Sequence, residues 1–111
     1  MNKASYKLKG LPPIYCINLD GEPNRWESAE NMFKEWEVEN YTRVSAYDGR
    51  EDDLSDILKG KYPDGMSSGE VGCTTSHLKA MKMFLETDAP CALMMEDDCD
   101  ISTVFHWGFT W

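Results

Sequence analysis

The sequence predicts an α/β fold, a mostly parallel sheet flanked by helices. Three observations carry this. Short apolar runs of strand length recur at "IYCINL", "YTRVSA" and "CALMM". Longer stretches with helical spacing separate them. Turn residues close them, at Asp20-Gly21, Asp48-Gly49 and Asp88-Ala89-Pro90. Strands that alternate with helical segments form β-α-β units, and these build parallel sheets.

The first strand is expected over Ile14 to Leu19. Its run is nearly continuous in apolar character, as in a strand buried on both faces. Pro23 then stands where a helix can begin. From there Trp26, Ala29, Met32, Phe33 and Trp36 recur at helical spacing, with charge on the other face. A second strand is expected from Tyr41 to about Ala46. "DDLSDILKG" reads as a helix of one to two turns, with Leu54, Ile57 and Leu58 on one side and Gly60 as its C-cap. A turn-rich loop, "KYPDGMSSGE", leads into a long helix that begins near Ser68 to Glu70 and runs to about Glu86. Its expected inner stripe is Val71, Thr74 or Thr75, Leu78, Met81 and Leu85. A third strand is expected over Cys91 to Met95. The order is β-α-β-α-α-β.

The totals narrow the function. The chain has 111 residues, enough for one domain or part of one, and 41% are hydrophobic. The net charge of −9 argues against a nucleic-acid partner, which needs clustered Lys and Arg. It suits a metal-dependent site, where surplus carboxylates are useful. No apolar run approaches the roughly 20 residues of a transmembrane helix. The N-terminal segment 1–10 carries charge without an apolar stretch after it, so no signal peptide is expected and the setting is expected to be cytoplasmic. Residues 1–10 are expected to be a flexible lead-in to a single domain. Cys16, Cys73, Cys91 and Cys99 match no zinc spacing and are expected to be plain reduced thiols. The aromatic ending "FHWGFTW" suggests a chain cut from something longer, or an unusually short protein.

In open α/β sheets, ligands bind beyond the carboxyl ends of the strands. Asn18, Leu19 and Asp20 end the first strand, and Glu96, Asp97 and Asp98 follow the third. Carboxylates so placed can hold Mg²⁺ or Mn²⁺, which take oxygen ligands from one or two carboxylates plus substrate phosphates. The same acidic stretch also fits a merely solvated loop. "GEVGCTTSH" opens the long helix with two glycines, and helix N-termini attract anions. Ser76 and His77 follow in its first turns. An ordinary capped helix start reads equally well there. Arg25 stands where it could meet a phosphate, or could simply be a solvated helix residue.

In order, "IYCINLDGEPNR", "VSAYDG", "SGEVGCTTSHLKAM" and "ALMMEDDCDIS" resemble the successive signatures of glycosyltransferase family 25. That family includes bacterial lipopolysaccharide and lipooligosaccharide galactosyltransferases and collagen galactosyltransferases. The match spans about Ile14 to Ser102. The resemblance implies a partial GT-A type nucleotide-diphospho-sugar transferase fold. It implies a UDP-sugar donor, often UDP-galactose, and a glycan, lipid-linked or protein-linked acceptor. It makes Asp98 the first choice for the metal ligand, through the donor diphosphate, with Glu96 as a second. Glu96 or Asp97 would touch the ribose or sugar. Asn18, Leu19 and Asp20 would line the nucleotide pocket, with Arg25 near it. Asp48 and Gly49 would form a loop by the nucleotide, and Ser76 and His77 would face the donor crevice. Family members continue beyond the Glu-Asp-Asp strand, so the chain resembles the donor-binding half, and no general base stands out.

Two other readings fit parts of the pattern. Asp98-Cys99-Asp100-Ile101-Ser102 looks like the Asp-x-Asp-x-Thr/Ser motif of haloacid-dehalogenase-type phosphatases, whose first Asp is a nucleophile beside Mg²⁺. The chain could also be a non-catalytic nucleotide-binding remnant.

Overall fold

The computed structural model describes residues 11–58 and 65–101. The elements are β1 (Ile14–Asn18), α1 (Pro23–Glu35), β2 (Tyr41–Ser45), α2 (Ser55–Leu58), α3 (Ser68–Leu85) and β3 (Leu93–Glu96). The expected order holds, with strand ends shifted by a residue or two. The segment 1–10, expected to be flexible, and the Gly60 cap lie outside the described residues.

The three strands form one parallel sheet in the order β2-β1-β3. The central strand β1 is buried along its whole length, which explains its continuous apolar run. Its side chains alternate between two cores. Ile14 and Cys16 join Ala29 and Phe33 of α1 on one face. Tyr15 and Ile17 join Val44 and Ala80 on the other, with Ala80 supplied by α3. The first crossover runs from β1 to β2 and the second runs back from β2 past β1 to β3, so α1 and α3 cover opposite faces of the sheet. Phe33 is fully buried and stacks on Tyr41 with ring centroids 4.3 Å apart; burial of such a ring contributes about 2–3 kcal/mol.

α1 ends in a Schellman turn. The Glu37 amide donates to the Lys34 carbonyl, and the Val38 amide donates to Phe33 at 2.8 Å. The residue in the left-handed position is Glu37, with φ 57°, where glycine is the usual occupant.

The inner face of α3 differs from the expected stripe. Leu78 and Met81 are nearly half exposed and Leu85 is 77% exposed. The buried positions are Gly72, Thr75, Ser76 and Ala80. The reason is close approach. A Cβ on Gly72 would stand 2.8 Å from the Gly49 nitrogen and 2.9 Å from the Tyr47 oxygen. α3 lies directly on the backbone of the loop after β2, and only small side chains fit between. On α2, likewise, Leu54 just ahead of the turn is buried while Ile57 is exposed.

Candidate functional site

Strand register sets the site. Asn18 pairs with Ser45, and Ile17 pairs with Glu96. The carboxyl ends of all three strands therefore finish level on one edge of the sheet. A cleft of about 180 Å³ opens there, between the strand ends and the first turns of α3. Of the sequence-predicted residues, Leu19, Arg25, Asp48, Gly49, Ser76, His77, Glu96 and Asp97 line it. Asn18, Asp20 and Asp98 do not.

Asn18 is buried beneath the cleft. Its amide nitrogen donates to the Glu22 carbonyl at 3.1 Å and to Asp97 Oδ2 at 2.7 Å. Its oxygen accepts from Arg43 Nε at 2.9 Å. Both amide hydrogens are thus used within the protein, and Asn18 ties the three strand ends together. Asp20 accepts from Arg43 Nη2 at 2.7 Å and from Ser45 Oγ at 2.8 Å. Those hydrogen bonds hold its carboxyl below the usual carboxylate range.

Asp97 follows β3, and its own amide donates to the Ile17 carbonyl at 3.0 Å. Its second oxygen accepts from the Arg25 guanidinium. Asp98 stands 3.8 Å from the same guanidinium, and its side chain is 70% exposed. The acidic triplet is therefore divided. Asp97 is engaged with Asn18 and Arg25, whereas Glu96 and Asp98 lie to either side of it with exposed carboxylates.

Across the cleft, the Ser67 hydroxyl caps α3 by accepting from the Glu70 amide at 3.1 Å, and the Glu70 carboxylate accepts from the Ser67 amide at 3.3 Å. This capping box uses part of the donor capacity of the helix start. Ser76 fastens the loop after β2 to α3. Its hydroxyl accepts from the Tyr47 amide at 2.8 Å and donates to the Gly72 carbonyl at 2.6 Å. Asp48 closes the loop from within, accepting from the Arg50 amide at 2.9 Å.

Three site residues were not singled out in the sequence. Arg43 joins Asn18 to Asp20, and an arginine in the middle of a strand was the available signal. Arg50 lines the cleft just past Asp48-Gly49. Cys73 also lines it, with Sγ 3.8 Å from Glu96 Oε1. Burial and the Glu96 carboxylate push its thiol pKa up. Its signal was the helical i, i+4 relation to His77, which brings both side chains to one face.

A parallel α/β sheet with a cleft at its carboxyl edge, holding an arginine among several carboxylates, fits part of a nucleotide-sugar transferase fold. The sequence profile of glycosyltransferase family 25 (LPS biosynthesis protein) matches residues 11–109, and the chain belongs to that family. Its curated relatives include three proteins named Glycosyltransferase 25 family member. The one from Drosophila pseudoobscura pseudoobscura is 29% identical over 86% of this chain and 17% of its own length. That from Drosophila melanogaster is 30% identical over 96% of this chain and 19% of its own. That from Aedes aegypti is 32% identical over 86% and 18%. The chain thus spans less than a fifth of the length of these relatives. No solved structure gives a significant match.

Proposed function

We propose that this chain is the donor-binding part of a glycosyltransferase that moves a hexose, galactose by family resemblance, from a UDP-sugar to a glycan, lipooligosaccharide or protein-linked acceptor. The observation that carries the reading is the level finish of β1 and β3, with Arg25 and Asp97 joined across the gap. An anionic donor needs a fixed positive group at such an edge, and Arg25 supplies it. Asp97 and Asn18 hold Arg25 in place. Leu19 and the Asp48-Gly49 loop would flank the nucleotide, with Ser76 anchoring that loop and His77 facing the sugar side.

The carboxylates of Glu96, on the cleft wall, and Asp98, outside it, have the oxygen chemistry that a hard divalent cation takes. Glu96 and Asp98 flank Asp97 with exposed carboxylates, and Mg²⁺ or Mn²⁺ binds through one or two carboxylates plus substrate phosphates. When bound, such a cation would neutralise charge on the departing diphosphate. Membership of family 25 displaces the phosphatase reading of Asp98. Among the described residues no helix is long and apolar enough to cross a membrane.

Calorimetry with UDP and Mn²⁺ tests the proposal. Binding is expected with the wild-type chain and is expected to fall by at least about tenfold in Asp98→Ala, the loss of one charge-assisted contact. No heat with wild type, or equal affinity in the variant, would overturn the donor site as drawn.

A further inference from the structure

Cys73, His77 and Glu96 make a second constellation within the cleft. The ligating atoms of all three lie within 4.8 Å of one another. Cys73 Sγ faces one oxygen of Glu96 at 3.8 Å, and His77 Nε2 faces the other at 4.0 Å. The imidazole contact is too long for a hydrogen bond, and the thiol contact is a weak one. The three groups surround a gap rather than closing on each other.

We infer that Cys73, His77 and Glu96 form a site for a transition metal of the zinc class, distinct in chemistry from the hard-cation pair Glu96 and Asp98. The donor set decides the class. A thiolate and an imidazole select Zn²⁺ over Mg²⁺ or Mn²⁺, which favour oxygen alone. Tetrahedral Zn²⁺ with bonds of about 2.0–2.3 Å holds its ligand atoms about 3.3–3.8 Å apart. The longest of the present separations, up to 4.8 Å, needs to shrink by about 1–1.5 Å, which side-chain rotation of the exposed Cys73 and Glu96 supplies.

Two features of the fold support occupancy. Cys73 and His77 sit one turn apart on α3, which the Ser76 and Gly72 contacts hold against the loop after β2, so two ligands are presented by one rigid element. The third comes from the end of β3. The chain as a whole is also anionic, with a net charge of −9, although Arg25 and Arg50 share the cleft with the carboxylates. Three protein ligands leave a fourth position open to the cleft, the pattern of exchangeable rather than closed zinc sites. Water, a phosphate oxygen or a sugar hydroxyl could take it. On binding, the Cys73 thiol gives its proton to solvent, and neutral His77 donates its Nε2 lone pair.

The site shares Glu96 with the donor cation but does not rest on the donor reading, so its test uses metal alone. Co²⁺ is titrated into the reduced, metal-free 111-residue chain without nucleotide. The expected result is a thiolate-to-cobalt charge-transfer band with visible bands of tetrahedral intensity, lost on adding Zn²⁺. Cys73→Ser is expected to abolish the charge-transfer band. His77→Ala is expected to weaken Zn²⁺ by at least about 100-fold, above the roughly 10–100-fold cost of losing an outer-shell partner. Cys91→Ser, at an exposed thiol outside the cleft, should change neither. Circular dichroism confirms that each variant folds; Cys73 is exposed, so its replacement leaves the core intact. Absence of the band, or its persistence in Cys73→Ser, would overturn the inference. UDP binding in Mn²⁺ with no cobalt band would retire this site alone, and the reverse result would retire the donor reading alone.

Discussion

The Asn18 amide donates to Asp97 Oδ2 across 2.7 Å, joining residues 79 positions apart in the chain. Asn18 is only 2% exposed, and it also accepts from Arg43 and donates to Glu22. Asn18→Ala would strip all three contacts at once and leave partly buried polar groups unpaired. Such a loss costs about 2–4 kcal/mol in total. Urea denaturation should show a lower midpoint with an unchanged slope. A variant as stable as wild type would show that water replaces the amide.

Glu37 is the natural place to gain stability. It occupies the left-handed position of the Schellman turn, with φ 57°. A side chain there costs about 1 kcal/mol relative to glycine, partly offset by glycine's greater unfolded freedom. Glu37→Gly should raise stability by up to about 1 kcal/mol. A rise in thermal midpoint is the readout, and a fall would count against the strain.

Gly72 should tolerate no side chain. Its missing Cβ faces backbone atoms of Tyr47 and Gly49, which cannot swing aside. Gly72→Ala is expected to destabilise by about 1–3 kcal/mol, the usual range for overpacking, although alanine is the better helix former. It should also weaken UDP binding, since it moves the cleft's wall. For stability alone, Ala at exposed Gly69, where the added carbon meets only the Ser67 hydroxyl at 3.9 Å, serves as control, since Gly69 also lines the cleft.

Cys16 gives a pH signature. Burial first, then the nearby Asp97 carboxylate, pushes its thiol from 9.0 up to about 12. The unfolded chain therefore loses this proton before the folded one does. The stabilisation is fully present below pH 9 and drains away as pH rises toward 12. Cys16→Ala should flatten that alkaline decline in a denaturation series. Native-state alkylation should label Cys73, Cys91 and Cys99 and spare Cys16.

Strand and helix order could be read from the sequence because β1 is apolar throughout and α1 keeps a clear helical stripe, with Ala29 and Phe33 inside as expected. α3 resisted because its inner face is made of glycine, serine, threonine and alanine, which carry little hydropathic signal. The apolar Leu78, Met81 and Leu85 drew the stripe to the wrong side. The acidic strand end was legible as the edge of a cleft, but not the different contacts that its three carboxylates make. Asn18 looked like a ligand-facing polar residue and is a buried tie. Cys73 looked like an ordinary thiol, and its neighbours in the cleft are a histidine one turn on and a glutamate 23 positions away. Those relations exist only once α3 and β3 are set side by side.

The strand order β2-β1-β3 also dictates a sequence of events during synthesis. β1 leaves the ribosome first, yet it is the strand flanked on both sides by later ones. Once residues up to Ser45 have emerged, β1, α1 and β2 can join and cover one side of β1. Tyr15 and Ile17 on the other side must wait for α3, and the central strand gains its second neighbour only when Leu93–Glu96 appears. Pairings this distant in sequence form slowly. The nascent chain therefore carries a half-covered central strand from the emergence of β2 until that of β3, and that interval is when a chaperone or a mispaired neighbour would find it.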